Sequence, residues 1–209
     1  VEPSDFSCRR CRITDIWELA DQKRALLWPT GELPIDVEKI IECQLRLDID
    51  WVHGLLQEAD VDAFLKSDLT GFIVDYDSYM NDKFENRRRF SYAHELGHYF
   101  LHEDIYREMK FESPEEWKHF VMDIPDREYV AFEFQANEFA GRFLVPKPIL
   151  EIEIDKAIDV LIGEGLSDIL IKNADVVSPY IAAYVHKKFG VSKDVIERRI
   201  EREGLWPRK

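Results

Sequence analysis

Residues 92–102 read YAHELGHYFLH: His94, His98 and His102 stand four apart, and Glu95 follows the first of them. On an α-helix, residues four apart lie nearly above one another, one turn or about 5.4 Å along the axis. His94 and His98 therefore project from one face, where their imidazoles can converge on a single ion. Glu95 falls on the flank of that face, placed to act as a base toward water without being a ligand, which is the logic of H-E-x-x-H. The competing reading is a helix with histidines on a half-buried polar face. The neighbours favour the metal. Ala93, Leu96, Gly97, Tyr99 and Phe100 carry no charge, so the helix is buried around its polar stripe, and titratable groups buried there need a partner. Gly97 costs about 1 kcal/mol relative to alanine inside a helix. It lets a second element approach closely beside His98, an approach that plain helix packing would also use. His102 lies eight residues, about 12 Å of rise, beyond His94. That is too far to share an ion held by the other two, so it reads as a cap or core residue.

A catalytic zinc usually takes three protein ligands and keeps one position open. The third must come from a second element. In the stretch 133–140, EFQANEFA, Glu133 and Asn137 sit one turn apart on a helix otherwise rich in Phe and Ala. A carboxylate buried on such a helix needs a cation, which zinc held by His94 and His98 would supply. Asn137 can accept the other ring N–H of a ligating histidine and fix its tautomer. A solvated glutamate on the helix rim is the alternative.

The two stretches together, RRRFSYAHELGHYFLH and EFQANEFAGRFLVP, resemble the ImmA/IrrE family of zinc metallopeptidases. The family pattern is R-x-R-F-T-x-A-H-E-x-G-H on one helix, with Ser91 here in place of the threonine. On the second, the chain matches it at Glu133, Ala136, Asn137, Phe139, Ala140 and Pro146. The resemblance covers roughly residues 33–205 and implies a zincin-like, gluzincin-type site: zinc on His94, His98 and Glu133, Glu95 as base, and Asn137 orienting a histidine. A further oxyanion donor is usual in such chemistry. Tyr92 and Tyr99, three before and four after Glu95, are candidates, with His102 and His119 behind them. The resemblance also implies a protein substrate, a helix-turn-helix repressor or antitoxin-like regulator, encoded separately because no N-terminal DNA-binding domain is evident.

Outward from the motifs, the pattern is helices, a small sheet, then helices, which predicts an α+β fold. Helical periodicity covers 12–27, with Ile13, Ile16, Trp17, Ala20 and Leu27 on one face. Residues 34–44 restart a helix with Asp36 as cap, and in 45–52 Leu45, Leu47, Ile49 and Trp51 alternate with polar residues, which reads as a strand. Residues 69–81 read as two short strands around an Asp-rich turn, completing a small antiparallel sheet. Helices follow over 87–102, from Ser113 as cap with Pro114 first, and over 126–145, 148–162, 179–189 and 193–203. The expected organisation is an N-terminal extension (1–32), a metallopeptidase core (33–177) and a C-terminal helix pair (178–209).

Composition narrows the function classes. The 209 residues are 45% hydrophobic and carry a net charge of −14, so a packed core is expected and a grip on nucleic acid or an anionic membrane is not. Residues 178–209 hold eight Lys/Arg against four Asp/Glu in a helix-turn-helix-like pattern, FGVS between two helices. The rest of the chain then carries about −18, which repels DNA. Ile181, Ala182, Val185, Val195, Ile196 and Ile200 form a stripe that predicts packing on the core. A zinc-binding regulatory or DNA- or protein-binding module without peptidase activity is the competing function. No apolar run spans a bilayer and no signal-peptide pattern opens the sequence, so the cytoplasm is expected. Cys8 and Cys11 form a lone C-x-x-C with no second pair to complete a zinc ribbon, and Cys43 stands apart. All three read as ordinary reduced thiols.

Overall fold

In the computed structural model, residues 5–59, 61–108, 114–166 and 174–206 are described. They form an α+β fold. Helix α1 (Ile13–Leu27) buries Ile16, Ala20 and Leu27, the face its period predicts. Helix α2 (Val37–Lys39) is capped by Asp36, whose carboxylate accepts from the Lys39 N–H at 3.0 Å. It runs into a π-helical stretch, Ile40–Leu45, which ends at left-handed Arg46.

The sheet corrects the expected antiparallel arrangement. Strand β1 (Asp48–Val52) is followed by α3 (Leu55–Ala59), β2 (Ala63–Leu65) and β3 (Gly71–Asp75). The order across the sheet is β1-β3-β2; β2 pairs antiparallel with β3, but β1 pairs parallel with it, Ile49 opposite Phe72. The tight 66–70 connection makes β2 and β3 a hairpin. β2 takes the far edge, and the crossover through α3 and β2 lets β1 lie beside β3 in the same direction. Trp51 is 47% exposed on this edge strand. Residues 69–81 hold one strand, not two. At Asp75 the carboxylate accepts from the Ser78 N–H at 2.8 Å and starts helix α4 (Tyr76–Tyr79). An aspartate after a strand is as good a helix cap as a turn residue.

Helix α5 (Glu85–Leu101) carries the first motif; α6 (Glu103–Glu108), α7 (Pro114–Asp123) and α8 (Asp126–Leu144) follow, and α8 carries the second. The expected cap Ser113 lies outside the described residues. α8 buries Phe132, Ala136, Phe139, Ala140 and Phe143 against α5 and α1. Arg87, Arg88 and Arg89 tie α5 to three places. Arg87 meets Asp62 at 2.6 Å, Arg88 donates to the Tyr79 carbonyl at 2.8 Å and Arg89 to the Gly190 carbonyl at 2.7 Å.

Helices α9 (Lys147–Gly163), α10 (Ala174–Phe189) and α11 (Lys193–Glu203) close the fold. Ile181, Ala182, Val185, Val195, Ile196 and Ile200 are all buried, so the predicted stripe is a packing face. Arg142 fastens three helices: its guanidinium takes both Asp21 oxygens of α1 at 2.6–3.0 Å and Glu203 of α11 at 2.6 Å. One hydrophobic cluster draws on residues from Phe6 to Leu205.

Candidate metal centre

Two helices and one strand build the site. On α5, one turn separates His94 from His98, and their Nε2 atoms approach to 3.0 Å. Glu133 on α8 faces both, one carboxylate oxygen 3.2 Å from His94 Nε2 and the other 3.5 Å from His98 Nε2. One ligand atom from each residue falls within 4.8 Å of the other two, so the group could hold a metal ion. This closeness depends on Gly97. A β-carbon there would lie 2.9 Å from the Cα of Ala136, so only glycine lets the α5 and α8 backbones touch between the histidines and Glu133. The centre is closed behind and open in front: the His98 side chain is 2% exposed, but those of His94 and Glu133 are 15% and 27% exposed.

The outer ring nitrogens are held as well. His94 Nδ1 lies 3.3 Å from Asn137 Oδ1, and Asn137 Nδ2 donates to the Glu133 carbonyl at 2.9 Å. A backbone carbonyl only accepts, so the amide must turn its NH₂ to it and its oxygen to His94. His94 then carries its proton on Nδ1 and presents the Nε2 lone pair toward Glu133 and His98. His98 Nδ1 lies 2.9 Å from Nδ1 of His102, whose backbone N–H caps α5 at the His98 carbonyl. His102 is 2% exposed and stacks on Phe132. It is a cap and a core residue and stands outside the converging group, but it is also the direct neighbour of His98.

Glu95 is 7% exposed, and one of its carboxylate oxygens accepts from the Leu65 N–H of β2 at 2.8 Å. β2, too short for its period to be read in the sequence, thus fixes the glutamate beside the histidines. Burial pushes the Glu95 carboxyl up to about 7, against the pull of His94. Burial lowers His98 to about 4, so it is neutral and ligand-ready. Although burial opposes it, the adjoining imidazoles of His94 and His98 hold the Glu133 carboxyl far below the usual range. Against the same burial, Glu133 and Glu95 raise His94. The donor set of two imidazoles and one carboxylate suits zinc.

The tyrosines are redistributed. Tyr92 is buried, its hydroxyl has no hydrogen-bond partner among the described residues, and Glu38 and Arg88 are among the charges that act on it. Tyr99 packs edge-on against Phe100. Tyr129, one turn before Glu133 on α8, and Tyr106 sense the charges of the centre: besides burial, Glu133 and Glu95 raise both phenols, Tyr129 to about 12. The i−4 spacing from Glu133 was the available signal for Tyr129. Cys8, Cys11 and Cys43 are unpaired thiols, and burial pushes Cys8 up to about 11.

A family model, the IrrE N-terminal-like domain of peptidase family M78, matches residues 79–201. That span exceeds half the chain and contains all three converging side chains. The chain belongs to this family. M78 is a metallopeptidase family, so its membership and the converging group agree on the kind of chemistry. No curated protein and no solved structure matches the chain. Among the described residues, no helix is long and apolar enough to cross a membrane.

Proposed function

We propose that this M78 chain is a zinc-dependent endopeptidase of zincin-like architecture, with His94, His98 and Glu133 as zinc ligands and Glu95 as general base. The observation that carries it is the convergence of both Nε2 atoms and the Glu133 carboxylate, at 3.0–3.5 Å, beside a buried Glu95. Zinc bound there would supply Lewis acidity, polarising a peptide carbonyl and acidifying water. Glu95, hydrogen-bonded to Leu65 and tuned toward neutrality, takes the proton of the attacking water and returns it to the leaving amine. Asn137 holds the His94 ring in the Nδ1–H tautomer. Tyr129, one turn before Glu133 and raised by the charges of both carboxylates, replaces Tyr92 and Tyr99 as the candidate oxyanion donor.

The substrate we propose is a cytoplasmic helix-turn-helix repressor or an antitoxin-like regulator. The buried stripe of α10 and α11 supports their role as an appendage packed on a core of residues 33–177, beside the N-terminal extension 1–32, and not as a DNA reader. The test has two parts. Elemental analysis should find about one zinc per chain, lost in the His94→Ala/His98→Ala double variant. Candidate repressors incubated with zinc-loaded protein should be cut, as read by mass spectrometry, and Glu95→Gln should retain zinc but lose roughly 10²–10⁴-fold in rate. Equal cleavage by wild type and Glu95→Gln would refute the mechanism. Failure to bind zinc would refute the centre.

A further inference from the structure

The N-terminal segment lies outside the family match, yet it reaches the metal centre through a buried chain of hydrogen bonds. Gln135 of α8 donates from Nε2 to the Arg9 carbonyl at 2.8 Å and to the Cys8 sulfur at 3.4 Å. Its Oε1 lies 3.4 Å from His102 Nε2. His102 Nδ1 lies 2.9 Å from His98 Nδ1. Cys8, Gln135, His102 and His98 are each 3% exposed or less.

The direction of every bond follows from one end. The Arg9 carbonyl can only accept, so the Gln135 NH₂ faces it and the Gln135 oxygen faces His102. An oxygen acceptor requires His102 to carry its proton on Nε2, which leaves Nδ1 as a lone pair. That lone pair accepts from His98, so His98 is protonated on Nδ1 and its Nε2 lone pair points to His94 and Glu133. The alternative tautomer of His98 would place two lone pairs 2.9 Å apart at His102 with no cation between them, whereas the Nε2 lone pairs of His94 and His98, 3.0 Å apart, are those a bound metal would take. We infer that Arg9 and Cys8, acting through Gln135 and His102, lock His98 in its ligating tautomer, which makes His102 and Gln135 positioning residues of the metal centre and the N-terminal segment a working part of it. The inference rests on His94, His98 and Glu133 being the zinc site. The segment itself is anchored on α8: Glu128 accepts from the Cys8 N–H at 2.9 Å and pairs with Arg10 at 2.7 Å.

The experiment measures zinc affinity of the full chain by competition with a chromophoric chelator. His102→Phe keeps an aromatic ring against Phe132 but removes the acceptor. Gln135→Leu removes the oxygen that sets the His102 tautomer. Each should weaken zinc binding, His102→Phe by about 10–100-fold, the usual effect of losing the partner of a ligating histidine. His102→Asn, which returns an acceptor, should recover part of the loss. Glu128→Ala, remote from the ligands, should weaken binding in the same direction by a smaller factor. A second measurement needs no variant: long-range ¹⁵N–¹H spectra of zinc-loaded wild type should show protons on His98 Nδ1 and His102 Nε2. A proton on His102 Nδ1, or unchanged affinity in both His102→Phe and Gln135→Leu, overturns the inference. The His94→Ala/His98→Ala control separates the two claims. If it still binds zinc tightly, the metal centre is wrong; if it does not and the positioning variants bind like wild type, only the positioning chain is wrong.

Discussion

Gly97 and Ala136 bring two helix backbones into direct contact: a β-carbon on Gly97 would sit 2.9 Å from the Ala136 Cα and 3.0 Å from its carbonyl oxygen. Both contacted atoms are backbone, so no side chain can swing away to relieve the clash. Gly97→Ala must therefore push α5 and α8 apart between the residues that converge on the site, whereas in an open helix the same change would stabilise by about 1 kcal/mol. The expected outcome is a lower melting temperature together with weakened zinc binding, because His98 and Glu133 move with their helices. Ala136→Gly, which leaves the contact in place, should keep zinc affinity near wild type. Thermal melts and chelator competition on both variants check this, and wild-type affinity in Gly97→Ala would show that the close approach does not set the ligand spacing.

Arg142 is a structural counterpart. It bridges Asp21 and Glu203, whose side chain is 1% exposed. Arg24 remains near Asp21, and Lys147 and Arg199 remain near Glu203, so neither acid is stranded when Arg142 is lost. Arg142→Met should then cost about 2 kcal/mol, below the roughly 3–5 kcal/mol of a buried charge left without any cation. Urea denaturation measures the loss. Zinc affinity should hold, since Arg142 lies more than two turns along α8 from Glu133.

How far the sequence reveals this site depends on the distance along the chain. His94, Glu95 and His98 are legible because one helical period places all three. Glu133 is legible only through its apolar surroundings and the family pattern, and the structure brings it to 3.2 Å from His94 across 39 positions. Helix α11 falls where predicted, at 193–203, because a serine cap and a glycine stop bracket it. The parallel β1–β3 pairing was not legible: period-two alternation fixes which face is buried but says nothing about which strand is the neighbour. β2 has three residues, too few to show a period, although it supplies the amide that holds Glu95. The link from Cys8 to Gln135 spans 127 positions and uses a glutamine that local reading counts as one more polar residue on a helix.

Glu95 should make the metal-free protein less stable, and the sign follows from its shift. Its carboxyl sits at about 7 in the fold, above the ordinary carboxylate value it regains on unfolding. A raised acid is protonated in the native state while the unfolded chain has already released its proton. The fold therefore loses stability as pH rises from the ordinary carboxylate value to about 7, and the whole penalty, up to about 3 kcal/mol, is present above that. Glu95→Gln removes the charge and keeps an oxygen for the Leu65 N–H. In the presence of chelator the variant should melt higher than wild type at pH 8 and equally at pH 4. A variant that melts lower at pH 8 would mean that the ionised carboxylate stabilises the metal-free fold.

Zinc binding should release a countable number of protons. In the metal-free protein near pH 5.5, His98, held at about 4, has none to give, and Glu133 is already ionised. His94 is protonated, because Glu133 and Glu95 outweigh its burial, and must lose that proton to ligate. Glu95, at about 7, is also protonated, and a divalent charge beside it drives that proton off. Wild type should therefore release about two protons per zinc at this pH, and Glu95→Gln about one. Affinity falls with acidification in both, more steeply in wild type. Calorimetric titration of zinc in two buffers of different ionisation enthalpy gives the count directly. Equal release from wild type and variant would remove Glu95 from the field of the metal, and with it the geometric basis for its role as the base.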